Sequence, residues 1–364
     1  MIDCFPLQSL TMAQATEKQF RLVDVICRHF PEADFLSSGD VGLVPGLNQP
    51  RTTRQVEQVL AEFFHAPAAA LVQGAGTGAI RCGLGALIAP GGRLLVHDAP
   101  LYPTTAVIAE QMGLRLIRAD FNQLPAIEAA IAAHQPDAAL VQHSRQAPQD
   151  GYALGEVIAT LRQAAVPVLT DDNYAVMKVE HIGCEHGATL STFSSFKLFG
   201  PSGVGVVVGN EEAVAAVRNS LYSGGCQIQG PQAMEALRGL VFAPVMHALQ
   251  AEVTTRIAEA LNRGVIAGVK SASIANAQSK VLLVEFEQPV AEAVLKHAAA
   301  LGALPYPVGA ESKYDIPPLF YRLSGTFRAA DPSLSARTIR INPNRAGEET
   351  VLRILRESYA IALA

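Results

Sequence analysis

Three segments of the sequence combine residue types and spacings that could do chemistry. They are a glycine-rich turn at residues 73–79, an acidic pair at Asp171 and Asp172, and a hydroxyl- and aromatic-rich stretch around Lys197. Each directly follows, or lies beside, a short apolar run of the kind that predicts a buried strand. The three segments therefore predict polar groups at the ends of strands.

The glycine-rich turn reads QGAGTGA and separates a predicted strand from a predicted helix. Glycines let backbone N–H groups approach an anion, the helix offers its positive end, and Thr77 could add a hydroxyl. A phosphate site is one interpretation, and a tight turn without a ligand is the other. The same residues also fit the G-x-G-x-x-A pattern of nicotinamide-binding proteins, with Asp98 suitably placed for a ribose contact.

Asp171 and Asp172 follow the apolar run at residues 167–170. In open α/β sheets, ligands bind outside the carboxyl ends of the strands. A carboxylate at that place could pair with a cationic ring nitrogen, or it could simply cap a turn.

Lys197 lies in the sequence SSFKLFGPSG, among aromatic, hydroxyl and glycine residues. Poor solvation in such surroundings favours the neutral, nucleophilic amine, which suits Schiff base formation. The alternative is a lysine whose head group reaches water.

In this order, over about residues 45–345, the segments resemble those of fold-type I pyridoxal-5′-phosphate (PLP) enzymes, the aminotransferase-like superfamily. The segment around Lys197 is similar to the lysine segment of the selenocysteine synthase and ammonia-lyase branch. VLTDDNYA is similar to the DNTFA segment of the cysteine/methionine metabolism branch, and so is GPQAMEALRGL at residues 230–240.

The resemblance implies a role for each matching residue. Lys197 would bind PLP as a Schiff base and shuttle protons, and Asp171, or else Asp172, would hold the pyridine N–H. The remaining cofactor contacts would be Gly76, Thr77, Gly78 and Ser194 at the phosphate, Tyr102 stacked on the ring, and Tyr174 at the family's aromatic position.

On the substrate side, the resemblance implies that Arg340 binds an α-carboxylate, for which the planar guanidinium is suited. His143 and Arg145 follow a strand and could face the substrate or be structural. The expected function is a PLP-dependent reaction on an amino acid, either transamination or elimination as in a carbon–sulfur or ammonia lyase. The loop at residues 305–328 would decide between these reactions.

Two features depart from the family patterns. Near Arg51 and Arg54 there is no tyrosine of the Tyr-x-Arg motif found in the cysteine/methionine branch, and Phe196 replaces the usual threonine before the lysine. Two alternatives therefore stay open: an NAD-dependent oxidoreductase, and a catalytically silent PLP-fold binding protein.

Alternating strand and helix patterns predict a three-layer α/β/α fold with a mostly parallel sheet, followed by a smaller C-terminal α+β domain. We expect an N-terminal arm and helix at 1–45, a large PLP-binding domain at 46–245 and a small domain at 246–364. Thr52 is expected to cap a helix. Residues 303–335, with five prolines, are expected to be irregular.

The amino-acid composition excludes or disfavours several classes of protein. The 364 residues are 49% hydrophobic, which excludes a disordered chain, and the net charge of −5 disfavours nucleic-acid binding. The charged fraction, 17%, is low and favours a homodimer or homotetramer. Five scattered cysteines and the lack of an evident signal peptide favour a cytoplasmic protein without disulfides, metal site or membrane segment.

Overall fold

The computed structural model describes residues 4–145, 147–277, 279–309 and 311–364. The chain divides into two compact units. The large unit comprises residues 13–143 and 152–244, and the small unit comprises the described residues within 4–12, 144–151 and 245–364. The division after Pro244 lies one residue from the boundary expected from the sequence. Residues 13–45, expected in a separate arm, group with the large unit.

The large unit alternates strands and helices. Its strands are β1 (Ala68–Gln73), β2 (Arg93–His97), β3 (Arg115–Ala119), β4 (Ala138–Gln142), β5 (Val168–Asp171), β6 (Leu190–Ser194) and β7 (Val204–Gly209). Its helices are α1 (Met12–His29), α2 (Arg51–Phe63), α3 (Ala75–Leu87), α4 (Pro103–Gln111), α5 (Leu124–His134), α6 (Leu154–Gln163), α7 (Glu211–Ser220) and the first part of α8 (Gly230–Asn262).

The strands form one seven-stranded sheet in the order β1-β7-β6-β5-β4-β2-β3. β7 runs antiparallel to the other six strands, which are parallel to one another. Alternate residues of β1 face opposite layers: Ala69 and Leu71 pack with α1, α2 and α8, whereas Ala70 and Val72 pack with α3 and α7. The predicted mostly parallel sheet with helices on both faces is confirmed.

This topology brings the carboxyl ends of six strands to one edge of the sheet. The strands β1 to β6 end there because they are parallel to one another. The three segments singled out in the sequence follow β1, β5 and β6, and all three therefore meet at this edge.

The expected cap of α2 is wrong. Pro50 is the N-cap residue, and the carboxylate of Asp40 accepts hydrogen bonds from the N–H groups of Arg51 (2.8 Å) and Thr52 (2.9 Å). Burial tends to raise the pKa of Asp40, but these backbone hydrogen bonds outweigh it and lower that pKa. The acceptor thus comes from an aspartate far outside the helix sequence.

The small unit holds a second sheet, which is wholly antiparallel in the order β10-β11-β9-β8. Its elements are β8 (Val269–Ala277), β9 (Ser279–Phe286), α9 (Ala291–Ala300), β10 (Leu319–Arg322), α10 (Gly325–Ala330), β11 (Thr338–Asn342) and α11 (Glu348–Leu363). Val284, Ile339 and Ile341 pack against α9, α11 and the end of α8 on one face. The expectation that residues 303–335 are irregular is wrong for β10 and α10.

Among the helices described, none combines the length and the hydropathy that a membrane crossing requires.

Candidate active site

Lys197 lies on a single helical turn at the end of β6. The Ser194 hydroxyl accepts a hydrogen bond from Phe196 N–H (3.2 Å) and so caps this turn. The turn ends at Phe199, whose φ of +64° is left-handed. Lys197 is half-buried, and its Nζ lies 3.7 Å from the centroid of the Tyr174 ring. This cation–π contact places the amine at the carboxyl edge of the sheet.

Tyr174 is held in an unusual backbone conformation. Its φ is +67°, a region that bulky residues rarely adopt and that carries strain. The turn that holds it is closed by a hydrogen bond from Ala175 N–H to the carbonyl of Asp172 (2.9 Å). The predicted cofactor contact Tyr174 therefore stands beside the predicted Schiff base lysine.

Asp171 ends β5 and is buried, with 7% of its surface exposed. Its Oδ1 accepts hydrogen bonds from Asn173 N–H (3.1 Å) and Asn173 Nδ2 (2.7 Å). Burial raises the pKa of Asp171 above its usual range, and Asn173 and the charge of Lys197 only partly offset this effect. Within the described residues Oδ2 accepts no hydrogen bond, so this oxygen can take a further donor.

Asp172 points to different partners and is fully buried. Its carboxylate accepts hydrogen bonds from His143 Nδ1 (2.7 Å), Thr170 Oγ1 (2.5 Å) and Gly183 N–H (3.1 Å). Burial alone would raise the pKa of Asp172, but His143 and the hydroxyl donors outweigh it and lower that pKa. Because Asp172 is committed to these donors, the geometry favours Asp171 as the partner of a ring nitrogen. His143 takes part as the partner of Asp172.

The glycine-rich turn leaves backbone donors at the start of α3. Gly74 has a φ of +93°, and the N–H groups of Gly74 and Ala75 both donate to Gly203 O, at 2.8 and 3.0 Å. The N-cap residue, Gly74, has no side chain with which to cap α3, so the N–H groups of Gly76 and Thr77 belong to the donors that a helix start leaves without an intrahelical acceptor. Such a helix start favours an anion.

Packing explains why two of these positions are glycine. A Cβ at Gly78 would lie 1.9 Å from Gln73 O, and a Cβ at Gly76 would lie 2.6 Å from the side-chain amide of Asn173. Both glycines therefore allow α3 to lie against the strand ends. This is a different reason from the close approach of an anion that the sequence suggested.

Two hydroxyls meet beside the start of α3. Thr77 Oγ1 and Thr104 Oγ1 lie 3.2 Å apart, and Thr104 is in the first turn of α4. Sequence reasoning missed Thr104, although Pro103 at the first position of the helix marks that start. Tyr102 is the half-buried N-cap residue of α4. Its predicted stacking role stays a prediction.

Asn173 is the second residue that sequence reasoning missed. Besides its bonds to Asp171, its Oδ1 accepts a hydrogen bond from Ser194 N–H (3.0 Å). The signal was present, because an asparagine two residues after an aspartate is typical of a side-chain-bonded turn.

The remaining predicted residues lie in the small unit. Arg340 is on β11, where its Nε donates to Arg322 O (2.7 Å) and its guanidinium lies 3.8 Å from the Tyr321 ring centroid. Arg145 Nη2 donates to Phe5 O (2.6 Å). The roles of both arginines stay predictions. Among the described residues, no group of His, Cys, Asp and Glu side chains is arranged to hold a metal.

Comparisons with known proteins show which protein family this chain resembles. The aminotransferase class-V profile matches residues 48–238, and a profile described as the YhfS-like C-terminal domain matches residues 255–355. The chain is 70% identical over 356 residues to the uncharacterized protein YhfS of Escherichia coli K12, covering 98% of this chain and 99% of that one.

Solved structures agree with this match. A crystal structure of the pyridoxal-5′-phosphate dependent protein YhfS from E. coli has a TM-score of 0.98 and 69% identity, covering 99% of each chain. The cystathionine gamma-lyase CalE6 of Micromonospora echinospora has a TM-score of 0.73 at 18% identity, covering 94% of this chain and 98% of that one. At that identity the likeness shows the fold alone.

These matches confirm the superfamily expected from the sequence and give the nicotinamide alternative no support. The chain belongs to the aminotransferase class-V family, within the fold-type I superfamily of PLP-dependent proteins.

Proposed function

We propose that this chain is an enzyme that uses PLP to act on an amino acid, either as an aminotransferase or as a carbon–sulfur or ammonia lyase. One observation carries the proposal: a half-buried lysine, a buried carboxylate with an available oxygen and an uncapped helix start share one sheet edge. These groups differ in charge and chemistry, and each suits a different part of the same cofactor.

The donor set fits PLP. The start of α3 and the hydroxyls of Thr77 and Thr104 offer donors to a phosphate, and Ser194 could add a third hydroxyl. Asp171 Oδ2 offers an acceptor to a protonated ring nitrogen, and Lys197 Nζ offers the amine. Gly76, Gly78 and Tyr174 would shape the pocket around these groups. Residues at this site thus supply an acceptor for the protonated ring nitrogen and donors for the phosphate.

When bound, PLP would supply an electron sink for the α-carbon of an amino acid. Lys197 Nζ would take the α-proton and return it, since a half-buried amine over an aromatic ring can exchange a proton at a fixed position. Asp171 would hold a proton on the ring nitrogen. Tyr102 would exclude water from one face of the ring.

Arg340 would bind the substrate α-carboxylate, because its planar guanidinium can give two parallel hydrogen bonds. The groups of the large unit serve transamination and elimination equally. The small-unit segment at residues 305–328, which contains β10 and the start of α10, would set the outcome, and the substrate side chain is therefore left open.

The experiment is a spectroscopic titration of the purified protein with PLP, followed by borohydride reduction and peptide mapping. We expect a visible absorption band that borohydride removes and a covalent adduct on Lys197. Lys197→Ala should lose the adduct and nearly all turnover. Lys178→Ala is the matched control, because Lys178 Nζ lies 5.7 Å from the centroid of the same Tyr174 ring.

An adduct on another lysine, or no band in the wild-type protein, would contradict the proposal. A normal adduct without turnover or spectral change on any amino acid would instead favour a catalytically silent PLP-binding protein. A screen of amino acids for formation of keto acid or release of ammonia would separate transamination from elimination.

We also propose that the chain assembles as a homodimer or homotetramer in the cytoplasm. The large apolar side chains that the large unit exposes include Leu36 (83%), Val41 (73%) and Tyr222 (77%). Asn48 Nδ2 donates to Tyr222 O (2.9 Å), which ties the segment that follows Val41 to the segment of Tyr222. Exposed apolar groups on neighbouring segments are typical of an interface. Light scattering of the purified protein measures the assembly, and a monomer would refute it.

A further inference from the structure

Asn173 contacts all three chemistry-bearing segments of the large unit. It hydrogen-bonds Asp171 on its own segment and Ser194 on the lysine segment, and it lies against Gly76 of the glycine-rich turn. None of the roles given so far uses this residue.

The first contact orients the carboxylate of Asp171. Within the part of the chain that the structure describes, Asn173 alone donates hydrogen bonds to this carboxylate, from N–H (3.1 Å) and Nδ2 (2.7 Å). Both bonds go to Oδ1. Oδ2 is thereby left as the oxygen for another donor.

The second contact fixes which way the asparagine amide faces. Asn173 Oδ1 accepts from Ser194 N–H (3.0 Å), and only the amide oxygen can do so, which leaves Nδ2 for the carboxylate. Ser194 Oγ in turn accepts from Phe196 N–H, beside Lys197. Two hydrogen bonds therefore connect the end of β5 to the lysine turn.

The third contact is steric. A Cβ at Gly76 would lie 2.6 Å from both Nδ2 and Oδ1 of Asn173. The first turn of α3 therefore lies directly against the asparagine amide, which cannot swing away from Asp171 toward that helix.

We infer that Asn173 is a positioning residue for Asp171, occupying one carboxylate oxygen so that the other is presented to the cationic ring nitrogen of PLP. This inference rests on the proposed function, because it assigns Asp171 to the cofactor. Asn173 acts through Asp171 and is not assigned a contact with the cofactor itself.

The charges around Asp171 give the inference a pH signature. The groups that face it are Lys197, Asp172 and, through Asp172, His143. Burial raises the pKa of Asp171, and the hydrogen bonds of Asn173 lower it. Without the amide of Asn173 the carboxylate would take up a proton at a higher pH, and a protonated carboxyl no longer stabilises a cationic ring nitrogen.

The test measures PLP affinity by absorbance titration from pH 6 to pH 8.5. Asn173→Ala should weaken PLP binding about 10- to 100-fold at pH 8, as expected for one hydrogen bond to a charged group. The ratio of the dissociation constant for PLP of the variant to that of the wild type should increase as the pH falls. Asn173→Ser is a milder replacement that carries the same test if the alanine variant does not fold.

Asn122 supplies the matched control. Asp120 Oδ1 accepts hydrogen bonds from Asn122 N–H (3.0 Å) and Nδ2 (2.7 Å), the same arrangement at an exposed turn of the large unit. Asn122→Ala should bind PLP as wild type does at every pH.

Three outcomes would overturn the inference, and they are distinguishable. If the wild-type protein does not bind PLP, the proposed function fails and takes the inference with it. If the wild type binds and Asn173→Ala matches it, only the inference fails. If Asn173→Ala is weaker by one constant factor at every pH, its role is structural and the positioning role is refuted.

Discussion

Asp171 and Asp172 are adjacent, buried and chemically identical, yet their replacement by asparagine should have different effects on the stability of the protein without PLP. Asp172→Asn should destabilise the fold. Asp171→Asn should leave the free energy of unfolding unchanged or raise it, while weakening PLP binding. The two carboxylates thus serve as controls for one another.

The magnitude for Asp172 follows from its three donors. His143, Thr170 and Gly183 all donate to this carboxylate, and a hydrogen bond to a charged group contributes about 1.5–3 kcal/mol. An asparagine oxygen can still accept about two of these bonds, whereas its NH₂ group faces the third donor. The net loss should be about 2–4 kcal/mol of unfolding free energy.

The pH dependence differs in sign between the two residues. The pKa of Asp172 is lowered in the folded protein, so its stabilisation is present above the unfolded pKa of about 4 and is lost as the pH falls through the folded pKa. The pKa of Asp171 is raised, so its ionised form opposes folding above that pKa. A neutral amide at residue 171 removes this cost.

Urea unfolding of the PLP-free proteins, followed by far-ultraviolet circular dichroism at pH 8 and pH 5, measures both effects. The two units can unfold separately, so each transition is fitted by itself. Asp137→Asn is the surface control, because this exposed carboxylate pairs with Arg93, and we expect little change. The reasoning is refuted if Asp172→Asn unfolds at the urea midpoint of the wild type. It is also refuted if Asp171→Asn loses as much free energy of unfolding as Asp172→Asn.

Three further substitutions test the packing. Gly239→Ala places a Cβ 2.6 Å from Gly200 N, so we expect a loss of about 1–3 kcal/mol in urea unfolding, whereas Gly225→Ala faces open space and should be neutral. Lys18→Ala leaves the carbonyls of Val179 and Glu180 without their donor and should speed proteolysis of the chain at these two residues. An unchanged cleavage rate there would contradict this. Glu311→Ala removes the acceptor of three buried side chains and should lower the small unit's unfolding free energy by about 2–4 kcal/mol, seen in its own urea transition.

The sheet and its edge were predictable because the signal is local. Apolar runs such as residues 68–72 mark strands, and polar segments that follow parallel strands must meet at one edge. The motif residues of the large unit, Lys197, Asp171 and Thr77, could therefore be brought to one sheet edge without coordinates.

The features that the sequence did not reveal depend on contacts between residues that are distant along the chain. Asp40 caps a helix that starts eleven residues later, and Thr104 meets Thr77 from another helix. Asn173 reads as an ordinary turn residue until the topology sets it against Ser194. The proposal that Asp171 rather than Asp172 meets the ring nitrogen likewise depends on the positions of the donors around each carboxylate. Strand β10 was missed because its four residues are too short a run to stand out beside prolines.

The carbonyl of Gly203 has a consequence for sequence change among related proteins. It accepts hydrogen bonds from the N–H groups of Gly74 and Ala75 in the glycine-rich turn, and it lies only six residues after Lys197. The hydroxyl of Ser195 bridges the same connection by contacting Pro201 O (3.1 Å) and Val204 O (3.0 Å). An inserted or deleted residue here would move the lysine relative to the start of α3. Relatives of this chain should accordingly have the same number of residues between positions 194 and 204. They should also keep a glycine at position 203, where the φ of +84° is left-handed. Insertions and deletions should occur instead in the surface turns at the opposite edge of the sheet.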